Sequence, residues 1–300
     1  MILVTGANGF LGRHAVRALV AGGDRVRAMV RDLSGAKTLQ EVECELVTGD
    51  VTDPESLARA TQGCTTVVHL VAIIAGRRDD FERVIAEGTR SLVAAAREAG
   101  ARRLVYVSAL GANDPGAPEV PYFRAKSAAE DAVTGSGLEH VILRPTFVFG
   151  PDGGALPRFM RIARLAPVTP VVGAGTQRVQ PIWVDDVARA IALAGQTVEP
   201  GFVAELGGPD AVDWNELWRR IKASLETRRP ALHLPTWLMR APAAVLERLP
   251  NPPVTRDQLT MLGGPDNVVS DEGRGMERLG LRLDELLTLD EQLRRAAAER

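Results

Sequence analysis

The sequence predicts an α/β protein, with a doubly wound parallel sheet of the Rossmann type and a smaller C-terminal α/β lobe. Two observations favour this fold class. In the first half of the 300-residue chain, short β-branched runs alternate with longer amphipathic stretches. A glycine-rich turn separates the first run from the first amphipathic stretch, as in folds that bind phosphate at the start of a helix.

Six apolar runs are the predicted strands of the sheet, at residues 2–4, 26–30, 46–47, 67–70, 104–107 and 141–143. The stretches between several of them mix polar and apolar residues at helical spacing, at residues 10–20, 55–61, 81–98 and 122–133. Right-handed crossovers would place these helices on both faces of a parallel sheet. Ligands of such sheets bind at the carboxyl ends of the strands.

After Pro151 proline and glycine become frequent and the alternation loosens. We therefore expect residues 1–150 to form the Rossmann domain and residues 151–300 a smaller substrate or partner lobe. A segment at about residues 176–206 is expected to return to the Rossmann sheet. The apolar stretch at residues 235–249 leaves three roles open, namely core packing, a pocket for an apolar substrate, and an interface with a membrane-associated partner.

The composition narrows the class of partner. The 36 basic and 38 acidic residues give a formal net charge of -2, so no basic surplus indicates a nucleic-acid partner. Cys44 and Cys64 lack metal-ligand spacing and are interpreted as reduced thiols, and His69 is interpreted as a strand residue; no metal site is predicted. Without a signal peptide or a membrane span in the sequence, the expected location is cytoplasmic, with peripheral attachment at the inner face of the membrane left open.

The glycine-rich turn has the spacing T-G-x-x-G-x-x-G. Gly6 would allow the sharp turn after the strand, Gly9 the approach of a pyrophosphate, and Gly12 close packing of helix on sheet. The turn therefore predicts a dinucleotide site. Its candidate ligand-binding residues are Gly6, Asn8, Gly9, Phe10, Leu11 and Gly12.

The residues after the second strand bear on which dinucleotide is bound. An NAD site usually has a carboxylate there for the ribose 2′-hydroxyl, whereas this chain has Arg31, followed by Asp32. A guanidinium suits a 2′-phosphate, and Arg13 could reach the same phosphate. NADP(H) is favoured, and NAD(H) stays open because Asp32 is adjacent.

Several phrases resemble the short-chain dehydrogenase/reductase superfamily in its extended and atypical branches. They are TGANGFLG at 5–12, GDV at 49–51, HLVA at 69–72, YFRAK at 122–126, LRP at 143–145 and VDDVA at 184–188. Two longer phrases, EGTRSLVAAAREAGARRLVYVSALGA and PPVTRDQLTMLGGPDNVVS, are similar to the nucleotide-binding accessory subunit of respiratory complex I and its stand-alone bacterial relatives.

The resemblance implies further cofactor contacts. Asp50 and Val51 would border the adenine, Val71 and Ala72 would line the cofactor cleft, and Lys126 would bind the nicotinamide ribose. The residues implied near the nicotinamide are Pro145, Thr146, Phe147 and Val148.

Tyr122 and Lys126 are four residues apart on a predicted helix and so share one face. An ammonium there would lower the pKa of the phenol, which could then exchange a proton with a carbonyl, alcohol or quinone-like substrate during hydride transfer. Ser108, after the fifth strand, would orient the substrate oxygen.

Two departures from the superfamily pattern leave turnover open. Ala109 and Leu110 stand where the extended enzymes tend to have the working hydroxyl, and Ile85 or Ala86 replaces a frequent asparagine. A non-catalytic, NADPH-stabilised accessory or assembly protein of a respiratory complex is therefore one alternative to an oxidoreductase. A sugar-nucleotide epimerase or dehydratase is another.

Overall fold

The computed structural model describes residues 1–113, 120–197, 199–247, 255–270 and 274–298. Among these residues seven parallel strands form one sheet, which confirms the predicted α/β Rossmann class. Numbered in chain order, they are β1 Ile2–Thr5, β2 Val26–Val30, β3 Glu45–Thr48, β4 Thr66–His69, β5 Arg103–Val107, β6 Glu139–Pro145 and β11 Phe202–Leu206. Their order across the sheet is β11-β6-β5-β4-β1-β2-β3.

Helices alternate with these strands along the chain. They are α1 Phe10–Ala21, α2 Lys37–Gln40, α3 Pro54–Thr61, α4 Arg78–Phe81, α5 Gly88–Glu98, α6 Pro121–Thr134 and α8 Val184–Gln196. The start of α3 shows how local sequence sets such a boundary. The Asp53 carboxylate accepts a hydrogen bond from the Glu55 N–H, and Pro54 occupies a first-turn position that needs no N–H.

The predicted helix at residues 81–98 is interrupted. A π-helical segment, Glu82–Glu87, joins α4 to α5. Thr89 donates its hydroxyl proton to the Ile85 carbonyl in this segment, at 2.6 Å. Periodicity alone predicted a continuous helix because a single π-helical turn changes the apolar spacing by only one residue.

The strand order reverses between β1 and β4, and this switch creates the crevice where a ligand can bind. Gly6 follows β1 in the left-handed region, with φ of 71°. A Cβ atom on Gly6 would lie 3.1 Å from the backbone nitrogen of Val71, which follows β4. The glycine turn and the end of β4 are therefore close neighbours at the carboxyl edge of the sheet.

The chain divides into two compact units. The first comprises residues 1–145, 184–206 and 271–282, and the second comprises residues 146–183, 207–270 and 283–300. In the first unit β11 extends the sheet beside β6, and α12 (Arg274–Arg278) packs on β11. A Cβ atom on Gly275 would lie 2.6 Å from the Ala204 Cα, so glycine allows this close packing.

The second unit contains three short strand pairs among its described residues. They are β7 Val148–Phe149 with β10 Ile182–Trp183, β9 Arg178–Val179 with β12 Val212–Asp213, and β8 Thr169–Val172 with β13 Ala231–Leu234. Its helices are α7 Leu156–Leu165, α9 Trp214–Ser224, α10 Thr236–Leu246, α11 Arg256–Leu262 and α13 Leu289–Ala298, with a 3-10 turn at Leu283–Glu285. Phe159 of α7 packs edge-on against Trp214, with ring centroids 5.5 Å apart.

The apolar stretch predicted at residues 235–249 lies mainly on α10. Trp237 is 73% exposed and Leu238 is 48% exposed, whereas Ala243 is buried. Residues 248 and 249 lie outside the described part of the chain. The exposed tryptophan is therefore not packed in a core, and the choice between pocket and interface stays a prediction.

Within the described ranges, no helix has both the length and the apolar character that crossing a membrane requires.

Candidate functional site

The glycine turn forms a tight loop at the carboxyl end of β1. The Gly9 N–H donates to the Gly6 carbonyl at 2.9 Å, which closes the turn. A Cβ atom on Gly12 would lie 2.1 Å from the carbonyl oxygen of Gly6 and 2.6 Å from that of Ala7. No side chain larger than hydrogen fits at Gly12, so α1 can pack directly against the turn.

The start of α1 fits the diphosphate of a dinucleotide. No side chain caps the helix at Gly9, and its first turn carries no acidic residue. The first N–H groups of a helix have no partner within the helix, and the helix dipole makes that end favourable for an anion. The residues present here thus suit a bound pyrophosphate.

The polar residues of the turn connect it to the segment after β2. The Asn8 amide donates to the Gly35 carbonyl at 2.9 Å, and Arg13 Nη1 donates to the Asn8 carbonyl at 3.1 Å. The Phe10 ring meets His14 edge-on, and Leu11 is half-buried. These contacts rigidify the loop that would surround the phosphates.

His14 shows a contact that sequence analysis missed. Its Nδ1 atom pairs with a carboxylate oxygen of Asp185, which lies in the first turn of α8. Since the two residues are 171 positions apart in the sequence, no local pattern could have revealed the pair. The pair links α1 to α8 next to the glycine turn.

The end of β2 carries the residues that bear on cofactor choice. Arg31 and Asp32 are both exposed. The Asp32 carboxylate accepts hydrogen bonds from the N–H and the hydroxyl of Ser34, and these bonds lower its pKa. No described residue forms a hydrogen bond or an ion pair with Arg31.

Asp50 lies close enough to Arg31 for the two charges to interact. Burial acts to raise the pKa of Asp50, but hydrogen bonds from the Thr52 N–H and hydroxyl, together with the charges of Arg31 and Arg83, bring it below its ordinary value. Asp50 is therefore ionised at neutral pH, in reach of the loop that follows β2.

The other cleft residues implied by the resemblance differ in exposure. Val51 is buried and packs on Gly88, where a Cβ atom would lie 2.9 Å from Val51 Cγ2. Val71 packs against the core of the first unit beside Gly6, and Ala72 is exposed. Ala72 is thus the residue of this group most accessible to a ligand.

Lys126 lies on α6 with its side chain buried away from solvent. Its side chain is 2% exposed, and Nζ donates to the Val107 carbonyl at 2.7 Å. Burial lowers the pKa of Lys126 to about 7, although the charge of Glu130 acts in the opposite direction. Within the described part of the chain, that carbonyl is the one acceptor for an ammonium with three protons.

Ser108 and Tyr122 complete the predicted catalytic set. Ser108 follows Val107 directly, and its Oγ atom is buried without a hydrogen-bond partner among the described residues. Tyr122 is half-buried one helical turn before Lys126, with its ring 6.2 Å from that of Phe81. Helix α6 therefore brings the Lys126 amine to the carbonyl of the residue that precedes Ser108, at the end of β5.

The expected effect of Lys126 on Tyr122 is not observed. Burial raises the pKa of Tyr122 to about 12, whereas the spacing had predicted a lowered value. The reason is that the ammonium is directed at the Val107 carbonyl and is itself desolvated, so the loss of water around the phenol dominates.

Pro145 ends β6 in the first unit, and its carbonyl accepts from the Leu110 N–H at 3.0 Å. Thr146, Phe147 and Val148 follow in the second unit. There the Thr146 hydroxyl donates to the Gln180 carbonyl, the Phe147 ring contacts Trp214, and Val148 pairs with Ile182. Their expected proximity to the nicotinamide stays a prediction.

His69 lies at the end of β4, as predicted for a strand residue, but its surroundings were not foreseen. Its two ring nitrogens bond to the hydroxyls of Thr5 and Thr89, at 2.7 and 3.0 Å. Burial lowers the pKa of His69 to about 3, and the charge of Lys126 adds to the effect. A lone histidine in a strand carries no signal for such a network.

No group of three or more His, Cys, Asp or Glu side chains is arranged to hold a metal ion in the described ranges. Cys44 and Cys64 are free thiols, and burial raises the pKa of both.

A family model described as NAD(P)H-binding matches residues 6–161, just over half of the chain. The chain belongs to this NAD(P)H-binding family. The match includes the glycine turn, the end of β2 and both Tyr122 and Lys126. It identifies the crevice at the strand-order switch as part of a nicotinamide dinucleotide-binding fold.

Relatives of this NAD(P)H-binding chain agree with the assignment. Ceramide reductase of Caulobacter vibrioides (strain NA1000 / CB15N) is 35% identical over 238 residues, which are 78% of this chain and 74% of the relative. Mitochondrial NADH dehydrogenase (ubiquinone) 1 alpha subcomplex subunit 9 of Arabidopsis thaliana is 29% identical over 296 residues, which are 93% of this chain and 73% of the relative. The chain is thus an NAD(P)(H)-binding protein of the extended short-chain dehydrogenase/reductase type, with homologues among reductases.

A solved structure shows the same fold. The NADPH-dependent quinone oxidoreductase QOR2 of Escherichia coli, in complex with NADPH, superposes with a TM-score of 0.79 at 21% identity and covers 98% of both chains.

Proposed function

We propose that this chain is an NADPH-dependent reductase that reduces the carbonyl group of an apolar substrate. The observation that carries this proposal is a pair of incompletely bonded buried groups. Among the described residues, the Lys126 amine has one acceptor, the Val107 carbonyl, and the hydroxyl of the next residue, Ser108, has no hydrogen-bond partner. Buried donors without acceptors are rare in folded proteins unless a ligand completes them. The name of the ceramide reductase relative favours a lipid-like carbonyl compound as substrate.

Each residue has a separate role in this proposal. Lys126 holds the nicotinamide ribose through its remaining N–H donors, and the glycine turn holds the diphosphate. When bound there, NADPH would supply the hydride for the carbonyl carbon. Tyr122 donates its proton to the carbonyl oxygen as that oxygen gains negative charge, and Ser108 donates a hydrogen bond to the same oxygen.

The raised pKa of Tyr122 suits the reductive direction. A phenol with a pKa of about 12 is fully protonated at neutral pH and is therefore ready to act as an acid. Oxidation of an alcohol would need the phenolate, which burial disfavours. We therefore expect the reduction of a carbonyl to be faster than the reverse reaction at pH 7.

The activity test compares the wild type with Tyr122→Phe. Oxidation of NADPH is followed by its absorbance with a panel of long-chain β-keto lipids and short-chain quinones. We expect one class to be reduced, and Tyr122→Phe to lower kcat by about 10²-fold or more while the Kd for NADPH is unchanged. Equal rates for both proteins would exclude the role of Tyr122. No turnover of either class would contradict the proposed reaction.

We infer that NADPH is preferred over NADH because Arg31 forms no hydrogen bond or ion pair with the described residues, while Ser34 bonds to the Asp32 carboxylate. A guanidinium binds a 2′-phosphate with charge-assisted hydrogen bonds. Arg31→Ala is expected to weaken NADPH binding about tenfold or more and to leave NADH binding unchanged. Arg25→Ala, an exposed arginine at the opposite end of β2, is the matched control and should alter neither Kd.

A non-catalytic accessory role is the second candidate. The buried Ile85 and Ala86 favour it, because one or the other replaces a polar residue that is frequent in the enzymes. The subunit 9 relative of NADH dehydrogenase matches nearly the whole chain. In this case NADPH would survive purification and dissociate over hours, and Tyr122→Phe would not change stability or partner binding. Exchange in under a second, with turnover, would instead support the reductase.

A further inference from the structure

One row of residues crosses the carboxyl edge of the sheet in the first unit. Thr5 of β1 is paired with His69 of β4, and His69 is paired with Tyr106 of β5. All three side chains are fully buried. Since partners in register point to the same face of a parallel sheet, these side chains form a continuous layer.

The hydrogen bonds around His69 define its proton positions. The Thr89 hydroxyl donates its one proton to the Ile85 carbonyl, so it accepts from His69 Nε2–H. Nδ1 is then unprotonated and accepts from the Thr5 hydroxyl. Both ring nitrogens are satisfied in the neutral imidazole, and protonation at Nδ1 would cost the hydrogen bond from Thr5.

The neutral imidazole stacks on Tyr106. The two ring centroids are 5.5 Å apart, with an angle of 26° between the rings. Tyr106 in turn contacts the amine of Lys126, because Nζ lies over the tyrosine ring, 4.9 Å from its centroid. The face of an aromatic ring is negative and attracts a cation, most strongly where water is excluded.

We propose that Tyr106, held in place by His69, is a positioning residue that fixes the Lys126 ammonium above its ring and beside the Val107 carbonyl. This inference rests on the proposed role of Lys126 in binding the cofactor. The ring face replaces part of the hydration that the buried ammonium has lost. A neutral His69 is required, since an imidazolium stacked on the same ring would repel Lys126.

Few other charged groups surround Lys126. Glu130 lies one turn further along α6, where it is paired with Arg144 of β6, and Tyr122 lies one turn before. The buried Tyr106 hydroxyl has the Thr89 side chain as its polar neighbour and makes no hydrogen bond to Lys126. The ring and not the hydroxyl should therefore act on Lys126, which separates the effects of two substitutions.

The test follows the NMR signal of the Lys126 Cε carbon in the full chain as the pH is varied. This signal is identified because it is absent from the spectrum of Lys126→Met. Tyr106→Phe keeps the ring and should leave the midpoint near that of the wild type, at about pH 7. Tyr106→Leu should lower the midpoint by about 0.5 pH unit, because the charged form loses the attraction of the ring. A purely structural role of Tyr106 would reduce thermal stability without this shift.

Replacement of Tyr106 by 3,4,5-trifluorophenylalanine covers the case in which Tyr106→Leu does not fold. Fluorine weakens the negative ring face and hardly changes its shape, so the midpoint should fall below that of Tyr106→Phe. The same replacement at Phe149, a buried ring of the second unit, is the control and should have no effect. An identical midpoint for the phenylalanine and trifluorophenylalanine proteins would overturn the inference.

The Kd for NADPH of the same variants separates this inference from the proposed function. If the titration midpoint moves as expected while Lys126→Met binds NADPH like the wild type, Tyr106 positions the ammonium and the proposed role of Lys126 is wrong. If Lys126→Met loses NADPH but fluorination moves nothing, Lys126 binds the cofactor and the role of Tyr106 is wrong.

Discussion

The buried hydroxyl of Ser108 has no hydrogen-bond partner in the part of the chain that the structure describes, and such a group costs about 1–3 kcal/mol of stability. Ser108→Ala removes this cost, so we expect an equal or higher unfolding midpoint. If the hydroxyl orients the substrate oxygen, kcat/KM should fall by about 10²-fold in the same variant. Thermal denaturation and steady-state kinetics on one preparation measure both. A parallel loss of stability and activity would show that Ser108 supports the fold only.

Lys126 should give the free protein an unusual dependence of stability on pH. Its pKa is about 7 in the folded chain, below the ordinary 10.5, so the unfolded chain binds more protons between these values. The free energy of unfolding should therefore rise with pH from 7 to 10, by up to about 1.4 kcal/mol per unit. Lys126→Met should remove this contribution to the slope, which urea unfolding at pH 7, 8 and 9 can measure. An unchanged slope would contradict the lowered pKa.

At the residue scale, sequence patterns predicted those features of the candidate site that depend on the spacing of residues along the chain. The glycines of the turn and the four-residue interval between Tyr122 and Lys126 are visible in the chain itself. The predicted lowering of the Tyr122 pKa was wrong, because the burial that raises it depends on Phe81 and other side chains distant in sequence. The neutral, doubly bonded His69 depends on threonines 64 and 20 residues away, so no local signal existed.

At the scale of elements, Gly12 and Gly195 provide a matched pair. Both lie in helices of the first unit, but a Cβ atom at Gly12 would clash with backbone, whereas one at Gly195 of α8 meets nothing within 4 Å. Gly12→Ala should lower stability by about 1–3 kcal/mol and abolish binding of NADPH, since α1 must move away from the turn. Gly195→Ala should raise stability by about 0.5–1 kcal/mol with binding intact. Binding by Gly12→Ala at wild-type affinity would refute the assignment of the turn.

The strands were more predictable than the helices between them. Each of the six predicted apolar runs overlaps a strand of the sheet, because buried parallel strands are nearly continuous apolar runs; the exception in burial is the edge strand β3, which has no buried residue. The π-helical segment Glu82–Glu87 could not be recognised from the spacing of apolar residues. The packing of α12 on β11 depends on Gly275 and on the Arg278 guanidinium over the Phe202 ring, at 4.0 Å, and neither residue forms a recognisable motif.

At the scale of the whole molecule, the first unit is not a continuous piece of chain. A fragment of residues 1–150 lacks α8, which packs on α1, and lacks β11, which covers the edge of β6. We expect this fragment to show no cooperative unfolding transition and no binding of NADPH, because α1 loses the helix packed on it and Ile142 of β6 loses its partner Val203 in β11. Circular dichroism during thermal denaturation, with the full chain as control, tests this. A cooperative transition in the fragment would support residues 1–150 as an independent domain.

The division of each unit among three chain segments also affects how the protein is made. A domain that is continuous in sequence can fold on the ribosome as soon as its last residue has emerged. Here only the first of the three segments of the first unit is complete at residue 145, and β11, which covers the edge of β6, ends at residue 206. At a synthesis rate of 5–20 residues per second, the edge of β6 waits roughly 3–12 s for β11. During that interval the unpaired edge of β6 is exposed to other nascent chains, so we expect the growing polypeptide to be a substrate for chaperones that bind extended segments.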